Sequence, residues 1–134
     1  MAKIIIDAND SSIGRIGSYV AKKSLEGNEM IILNSEKAII SGNKTNNIEK
    51  YKRIRKMGGS ALKGPFISKD TEKILKRCIR GMLPDYRKGR GREAWKRIKC
   101  YNGIPEEYKD EKLIKISRKA PVKKINLKEL KEKL

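Results

Sequence analysis

The sequence has no histidine, few aromatic residues and only two cysteines, and these shortages exclude several classes of protein. Without histidine, both the most common general acid–base group and the usual nitrogen ligand of zinc are missing. Cys78 and Cys100 are too far apart in the sequence to form a close metal-ligand pair. We expect two small, buried, free thiols in a reducing cytoplasm. We also expect no metal site, no cofactor and no small-molecule substrate.

Long apolar runs are absent as well. No run reaches about 18 residues, so we expect no membrane span. The aromatic content is only 5%, so the core must be built from Ile, Leu, Val and Met. A length of 134 residues suits one domain.

Acidic residues are scarce relative to basic ones. Thirty-four Lys and Arg face 16 Asp and Glu, which gives a net charge of +18. The net charge is +1 over residues 1–50, +13 over residues 51–100 and +4 over residues 101–134. A solubilising charge has no reason to concentrate in this way, so the middle third is predicted to contact a polyanion. Charge alone leaves DNA, RNA and an anionic membrane surface open.

The hydrophobic spacing predicts an α/β domain. Residues 3–7 and 30–33 are typical of buried strands, and the apolar positions from Ile13 to Leu25 have helical spacing. A strand, helix and strand of these lengths form a parallel crossover. Residues 37–41 resemble a third strand after a connection that is too short for a crossover. They either form a hairpin with the second strand or lie outside the sheet.

Further helices are predicted at 43–57 and at 92–97, and another lies between them, with its caps among residues 68–71 and its end bounded by Gly81 and Pro84. Residues 85–92 are predicted to be a loop, and residues 98–101 the last strand. Residues beyond 105 contain few apolar side chains before Leu113. We expect an arm that packs on the body or on a partner, with a final helix capped by Asn126.

The strongest candidate for contact with nucleic acid is the segment that follows the predicted helix ending near Gly81. Its basic residues alternate with Gly89 and Gly91, which would let the backbone lie against phosphates; they are Arg87, Lys88, Arg90 and Arg92. Tyr86 and Trp95 flank the segment, and either ring could stack on an unpaired base. For Trp95 a place in the core is the better prediction. For Tyr86, stacking on a base and a purely structural place both stay open.

Other candidates lie on the predicted helices. They are Lys52, Arg53, Arg55, Lys56, Arg77, Arg80, Lys96 and Arg97, with Lys63 in the loop after residue 57. Arg77 and Arg80 are three residues apart and therefore share a helix face. They could instead form surface ion pairs with Asp70 or Asp85.

Three other functions compete with RNA binding: nucleotide hydrolysis, nucleic-acid processing and the coating of DNA. Gly42-Asn43-Lys44-Thr45 resembles the end of a phosphate-binding loop, but the pattern requires glycine at the positions of Ala38 and Asn43. A small nucleic-acid-processing enzyme would need a carboxylate cluster. Asp7 and Asp10 are the available candidates, and helix capping explains them better. A DNA-coating protein is the third possibility.

Several motifs resemble the universal ribosomal protein L13 family of the large subunit, particularly its archaeal members. They occur in the family's order between residues 7 and 105: Asp7-Ala8, Ile13-Gly14-Arg15-Ile16, Asn34-Ser35-Glu36-Lys37, Ile40-Ser41-Gly42, Arg80-Gly81-Met82-Leu83-Pro84 and Lys99-Cys100-Tyr101-Asn102-Gly103. Ser35 departs from the alanine that the family often has.

The resemblance implies a three-layer α/β/α domain over residues 1–105 with a four-stranded, mostly parallel sheet. A basic C-terminal extension would follow over residues 106–134. It also implies a structural protein of the cytoplasmic ribosome that binds large-subunit ribosomal RNA and neighbouring large-subunit proteins. A role early in subunit assembly would follow.

Overall fold

The predicted α/β class is confirmed by a computed structural model, which describes residues 3–57, 70–116 and 123–133. The strands in these ranges are β1 (Lys3–Asp7), β2 (Glu29–Leu33), β3 (Ile39–Ser41), β4 (Ile98–Cys100), β5 (Ile114–Lys115) and β6 (Lys124–Asn126). The helices are α1 (Ile13–Leu25), α2 (Lys44–Lys56), α3 (Thr71–Gly81), α4 (Gly89–Lys96) and α5 (Leu127–Lys133). No described helix is long and apolar enough to span a bilayer.

The main sheet has the strand order β4-β2-β1-β5, and its three pairings are parallel. Strand β1 pairs with β2 along its whole length, with Ile5 opposite Ile31. The predicted parallel crossover of β1, α1 and β2 is therefore confirmed. Both strands are almost continuous apolar runs because both faces of this sheet are covered.

Successive residues of β1 and β2 enter two different cores, as the alternation of side chains along a strand requires. Ile6 and Ile32 belong to the larger core, whose helical members are Ile13, Ile16, Val20, Ile74, Leu75, Ile79, Leu127 and Leu130. Ile5 and Ile31 pack in the smaller core on the other face. Its helical part is a single 3-10 turn, Glu106–Tyr108, so this layer is thin.

The third predicted strand, residues 37–41, lies outside the main sheet. Asn34 adopts a left-handed conformation with φ of 57°, and a 3-10 turn follows at Ser35–Lys37. The chain then enters β3, which pairs antiparallel with β6 in a second sheet. The hairpin alternative is therefore wrong. The prediction of β4 as the last strand is also wrong, because β5 and β6 follow it.

Helix α4 begins earlier than predicted. The sequence predicts a loop over residues 85–92, but α4 already starts at Gly89, whose φ is +64°. A Cβ atom on Gly91 would overlap the carbonyl oxygens of Pro84 and Asp85. This glycine is therefore needed for the close packing of α4 on the preceding loop, an internal role that differs from the predicted contact with phosphates.

Residues beyond 105 take part in both sheets and in the larger core. Strand β5 extends the main sheet beside β1. Leu127 and Leu130 of α5 have no solvent exposure. Asn126 accepts a hydrogen bond from the Glu129 amide at 2.8 Å, which fits the predicted cap. The division of the chain at residue 105 stays a prediction.

Candidate nucleic-acid interface

Helix α2 carries its charges away from the core. Ile48, Tyr51 and Ile54 pack against the larger core, as their helical spacing predicts. Asn43 begins the helix, and its side chain accepts a hydrogen bond from the Thr45 amide at 2.9 Å. The positions opposite the packed stripe hold exposed basic side chains, which are Lys52, Arg53 and Lys56. Arg55 is partly buried.

Helix α3 packs on α1 and carries two of the predicted cations. Ile74, Leu75 and Ile79 are buried, whereas Arg77 and Arg80 are partly exposed. Burial raises the pKa of the Tyr51 hydroxyl on α2, nearby Cys78 adds to this rise, and the charge of Arg77 opposes it. Tyr51 of α2 and Cys78 of α3 both pack against the larger core.

Two of the candidate arginines lie close to the ring of Tyr86. The Cζ atoms of Arg80 and Arg87 lie 4.6 Å and 5.3 Å from the centroid of its ring. The Arg87 Nε donates a hydrogen bond to the Tyr86 hydroxyl at 3.3 Å. That hydrogen bond, together with the charges of Arg87 and Arg80, lowers the pKa of Tyr86. Asp70, a predicted partner of the α3 arginines, forms an ion pair with Lys73 at 3.5 Å.

Trp95 lies beside α3 and is partly buried against the larger core, as predicted. The Lys76 ammonium sits over its ring at 4.8 Å from the centroid. Exposed basic residues occupy the rest of this region, namely Lys88, Arg90, Arg92 and Lys96. The indole therefore anchors α4, and the charges around it remain accessible.

Arg97 is held by atoms of the protein itself. Its Nη1 donates a hydrogen bond to the Ser24 carbonyl at 2.9 Å, and its Nη2 lies 3.8 Å from Glu93. The guanidinium thus ties the end of α4 to the last turn of α1. Lys63, another predicted contact, lies outside the described residues.

We use the name basic surface for the predicted cations on α2, α3, α4 and the loop between α3 and α4. It consists of Lys52, Arg53, Arg55, Lys56, Arg77, Arg80, Arg87, Lys88, Arg90, Arg92 and Lys96. Tyr51 of α2 packs against the larger core that also holds α3. The Arg80 guanidinium of α3 lies over the ring of Tyr86 in the following loop, and the Lys76 ammonium of α3 lies over the ring of Trp95 in α4. Residues separated by up to forty-four positions are thereby brought onto neighbouring elements.

A second basic cluster is not among the sequence-based candidates. The pairing of β3 with β6 brings Lys123 and Lys124 beside Asn43 and Lys44, around a surface cavity of about 300 Å³. Lys44 also forms an ion pair with Glu129 at 3.2 Å. No local signal could have indicated this cluster, because its two halves are about eighty residues apart in the sequence.

The enzyme-like features have structural explanations. The Asp7 carboxylate accepts hydrogen bonds from the Asn9 amide and the Asn34 side chain, both at 3.0 Å. It fixes the loop before α1, where Ser12 holds the N-cap position. The prediction that Asp7 and Asp10 cap this helix is therefore wrong. In residues 3–57, 70–116 and 123–133 we find no group of three acidic, cysteine or histidine side chains able to hold a metal.

Both cysteines are free and partly buried. Burial raises the pKa of the Cys78 thiol, and the charge of Lys50 opposes the rise. Burial also raises the pKa of the Cys100 thiol to about 12. Thiols of this kind are weak nucleophiles near neutral pH, because the thiolate is the reactive form.

Comparisons with known proteins agree with the motifs. A model of the family described as "Ribosomal protein L13" matches residues 2–107. The chain is 46% identical to the large ribosomal subunit protein uL13 of Methanococcoides burtonii over 112 residues, covering 84% of this chain and 79% of that protein. The uL13 protein of Methanosarcina barkeri is also 46% identical, over 84% of this chain and 80% of its own length.

A third relative extends the similarity into the C-terminal segment. The uL13 protein of Natronomonas pharaonis is 35% identical over 136 aligned positions, which cover 99% of this chain and 91% of that protein. The crossover, the basic surface and the motif from Arg80 to Pro84 all fall inside the region matched by the family model. The chain therefore belongs to the ribosomal protein L13 family.

Proposed function

We propose that this protein is a structural component of the large ribosomal subunit, that it binds large-subunit ribosomal RNA through the basic surface, and that it acts early in assembly. As a member of a ribosomal-protein family it functions in the cytoplasmic ribosome and is not an enzyme. Neighbouring large-subunit proteins are its further proposed partners.

The observation that carries the RNA proposal is the position of the charge. The net charge of +13 over residues 51–100 lies largely on α2, α3 and α4, whose apolar sides are committed to the core. A cationic surface of this kind favours RNA phosphates, since each contact releases condensed counterions. Phosphate contacts would fix the orientation of the protein, and the shape of the RNA would supply most of the selectivity.

The same charge supports a role in assembly. RNA helices that pack together repel each other through their phosphates, and a protein with a net charge of +18 lowers that repulsion where it binds. The nearly neutral residues 1–50 supply β1, α1, β2 and most of α2, so the basic surface is carried on a defined scaffold. We propose that this combination lets the protein stabilise an RNA junction before the subunit is complete.

A salt titration tests the RNA proposal. The change is Arg87→Ala, Lys88→Ala, Arg90→Ala and Arg92→Ala in the full chain, measured with a large-subunit ribosomal RNA fragment. We expect weaker binding and a shallower dependence of log K on log salt concentration, by about one for each phosphate that the variant no longer neutralises. The matched control removes four exposed lysines from the C-terminal segment: Lys109, Lys112, Lys128 and Lys131.

The two variants have the same net charge, so only the position of the charge differs. An unchanged slope in the loop variant, or equal losses in both variants, would contradict the assignment of the basic surface. Comparing structured ribosomal RNA with duplex DNA at physiological salt separates RNA binding from general coating of polyanions. Co-sedimentation with large subunits at high salt tests the proposed place of the protein in the ribosome.

A further inference from the structure

The loop between α3 and α4 holds two guanidinium groups at one aromatic ring. Arg80 lies in the last turn of α3 and Arg87 lies in the loop, with their Cζ atoms 4.6 Å and 5.3 Å from the Tyr86 centroid. Both distances are within the range of about 6 Å in which a cation is attracted by the ring. The ring therefore joins two flexible side chains that come from different segments.

The position of Tyr86 is fixed by the backbone around it. The Asp85 carboxylate accepts a hydrogen bond from the Arg87 amide at 3.0 Å, which forms a tight turn centred on Tyr86. Helix α4 packs on the same turn through Gly91, which has no room for a Cβ atom beside the carbonyl oxygens of Pro84 and Asp85. The ring is consequently presented by a constrained turn next to the start of a helix.

The two guanidinium groups keep most of their donors available. A guanidinium has five N–H donors, and Arg87 uses the one on Nε for the Tyr86 hydroxyl. Within the described part of the chain, neither Arg80 nor Arg87 lies within 4.0 Å of a carboxylate oxygen. Both guanidinium groups lie over the Tyr86 ring, so the ring determines where their remaining N–H donors are presented.

We propose that Tyr86 is a positioning residue, which holds Arg80 and Arg87 as a two-armed site for a backbone phosphate of RNA and does not stack on a base. The inference rests on the proposed RNA-binding function and names the chemical group that this part of the basic surface binds. Paired guanidinium groups match the oxygens of a phosphate geometrically. A base that stacked on the Arg80 side of the ring would have to displace that guanidinium.

A double-mutant cycle in the full chain distinguishes positioning from stacking. The variants are Tyr86→Ala, the pair Arg80→Ala and Arg87→Ala, and all three changes together, each titrated with a large-subunit ribosomal RNA fragment over a series of salt concentrations. We expect Tyr86→Ala to weaken binding by about 3- to 10-fold and to make the salt slope shallower. In the background without both arginines, Tyr86→Ala should have no further effect.

Further variants control for the chemistry of the ring. Tyr86→Phe keeps the ring and removes the hydroxyl that accepts from Arg87, so an intermediate loss is expected. Tyr19→Ala removes a different ring that also has a cation above it, with Lys23 at 5.8 Å on α1, and should leave binding unchanged. Circular dichroism of each variant shows whether it is folded.

The outcomes separate this inference from the function on which it rests. A loss on Tyr86→Ala that keeps its size without the arginines, with an unchanged salt slope, means base stacking and overturns the inference. The same holds if Tyr86→Ala has no effect while the four-residue loop variant binds weakly, although RNA binding then stands. If neither the loop variant nor the arginine pair alters binding, this inference and the assignment of the basic surface both fail. If the unaltered chain does not bind the RNA fragment, the proposed RNA function itself fails.

Discussion

Ser35 follows the left-handed residue Asn34 and is completely buried. Its amide donates a hydrogen bond to the Tyr101 carbonyl, which ties the 3-10 turn to the chain after β4. The hydroxyl has no hydrogen-bond partner in the described part of the chain. A buried hydroxyl without a partner is destabilising, since it gives up its hydrogen bonds to water.

We expect Ser35→Ala to raise the free energy of unfolding by about 1 kcal/mol, because it removes this desolvated hydroxyl and leaves the backbone bonds intact. The measurement is the midpoint of urea unfolding at constant slope. Thr71→Val is the contrasting variant. The buried Thr71 hydroxyl donates to the Asn102 side chain at 2.6 Å, so its removal should cost about 1 kcal/mol. A loss of stability in Ser35→Ala would show that its hydroxyl has a partner in solution.

Gly91 is the residue at which an added methyl group has no space. In Gly91→Ala the Cβ atom meets backbone carbonyl oxygens, which cannot move aside as a flexible side chain can. We expect a loss of about 1–3 kcal/mol in the free energy of unfolding, with displacement of α4. Gly81→Ala is the matched control, because a Cβ atom there meets no atom of the described structure within 4 Å. Equal stability of the two variants would contradict the close packing of α4 on the Pro84–Asp85 turn.

At the scale of elements, the sequence predicted what depends on neighbouring residues. Strand β1 has the predicted bounds, and α1, α2 and α3 lie where the spacing of apolar side chains places them. Their signals are local, because residues three and four apart share a helix face. The exposed charges of α2 and α3 could be predicted for the same reason.

What the sequence did not reveal depends on distant partners. Strand β3 pairs with β6 some eighty residues later, and β5 is a two-residue strand whose only partner in the described chain is β1. Glycine is a weak helix former, so the early start of α4 follows from its contact with a turn and not from propensity. For the candidate site, nothing local to Arg97 indicated that its guanidinium contacts the carbonyl of Ser24.

The contact between α1 and the end of α4 can be tested by substituting Arg97. The Ser24 carbonyl in the last turn of α1 accepts hydrogen bonds from the Gly27 amide at 3.1 Å and from the Arg97 Nη1 at 2.9 Å. We expect Arg97→Ala to lower the free energy of unfolding by about 1–2 kcal/mol, since it removes a partly buried, charge-assisted hydrogen bond. Arg92→Ala removes an exposed arginine from the same helix and should change stability by less than about 0.5 kcal/mol.

Chemical denaturation of both variants provides the measurement. Equal stabilities would contradict the structural role of Arg97. The pair also helps to interpret RNA titrations. Weaker RNA binding in Arg92→Ala with unchanged stability reports on the interface, whereas Arg97→Ala is expected to affect the fold first.

For the whole molecule, repulsion among the excess positive charges lowers the stability of the folded state. At least one side chain is exposed to solvent in each of the ion pairs Lys23–Glu26, Lys44–Glu129, Lys73–Asp70 and Arg97–Glu93. Exposed pairs of this kind contribute little to stability. The net charge of +18 is the excess of basic over acidic side chains, and the folded chain brings these cations nearer to one another than the unfolded chain does.

Because salt screens this repulsion, we expect salt to stabilise the free protein. Raising NaCl from about 10 mM to about 300 mM shortens the screening length from about 30 Å to below 10 Å, so repulsion across the basic surface falls. We expect the melting temperature to rise by several degrees. The four-residue loop variant, whose net charge is lower by four, should show a smaller rise. A melting temperature that stays constant or falls would mean that repulsion between the cations does not lower the stability of the fold.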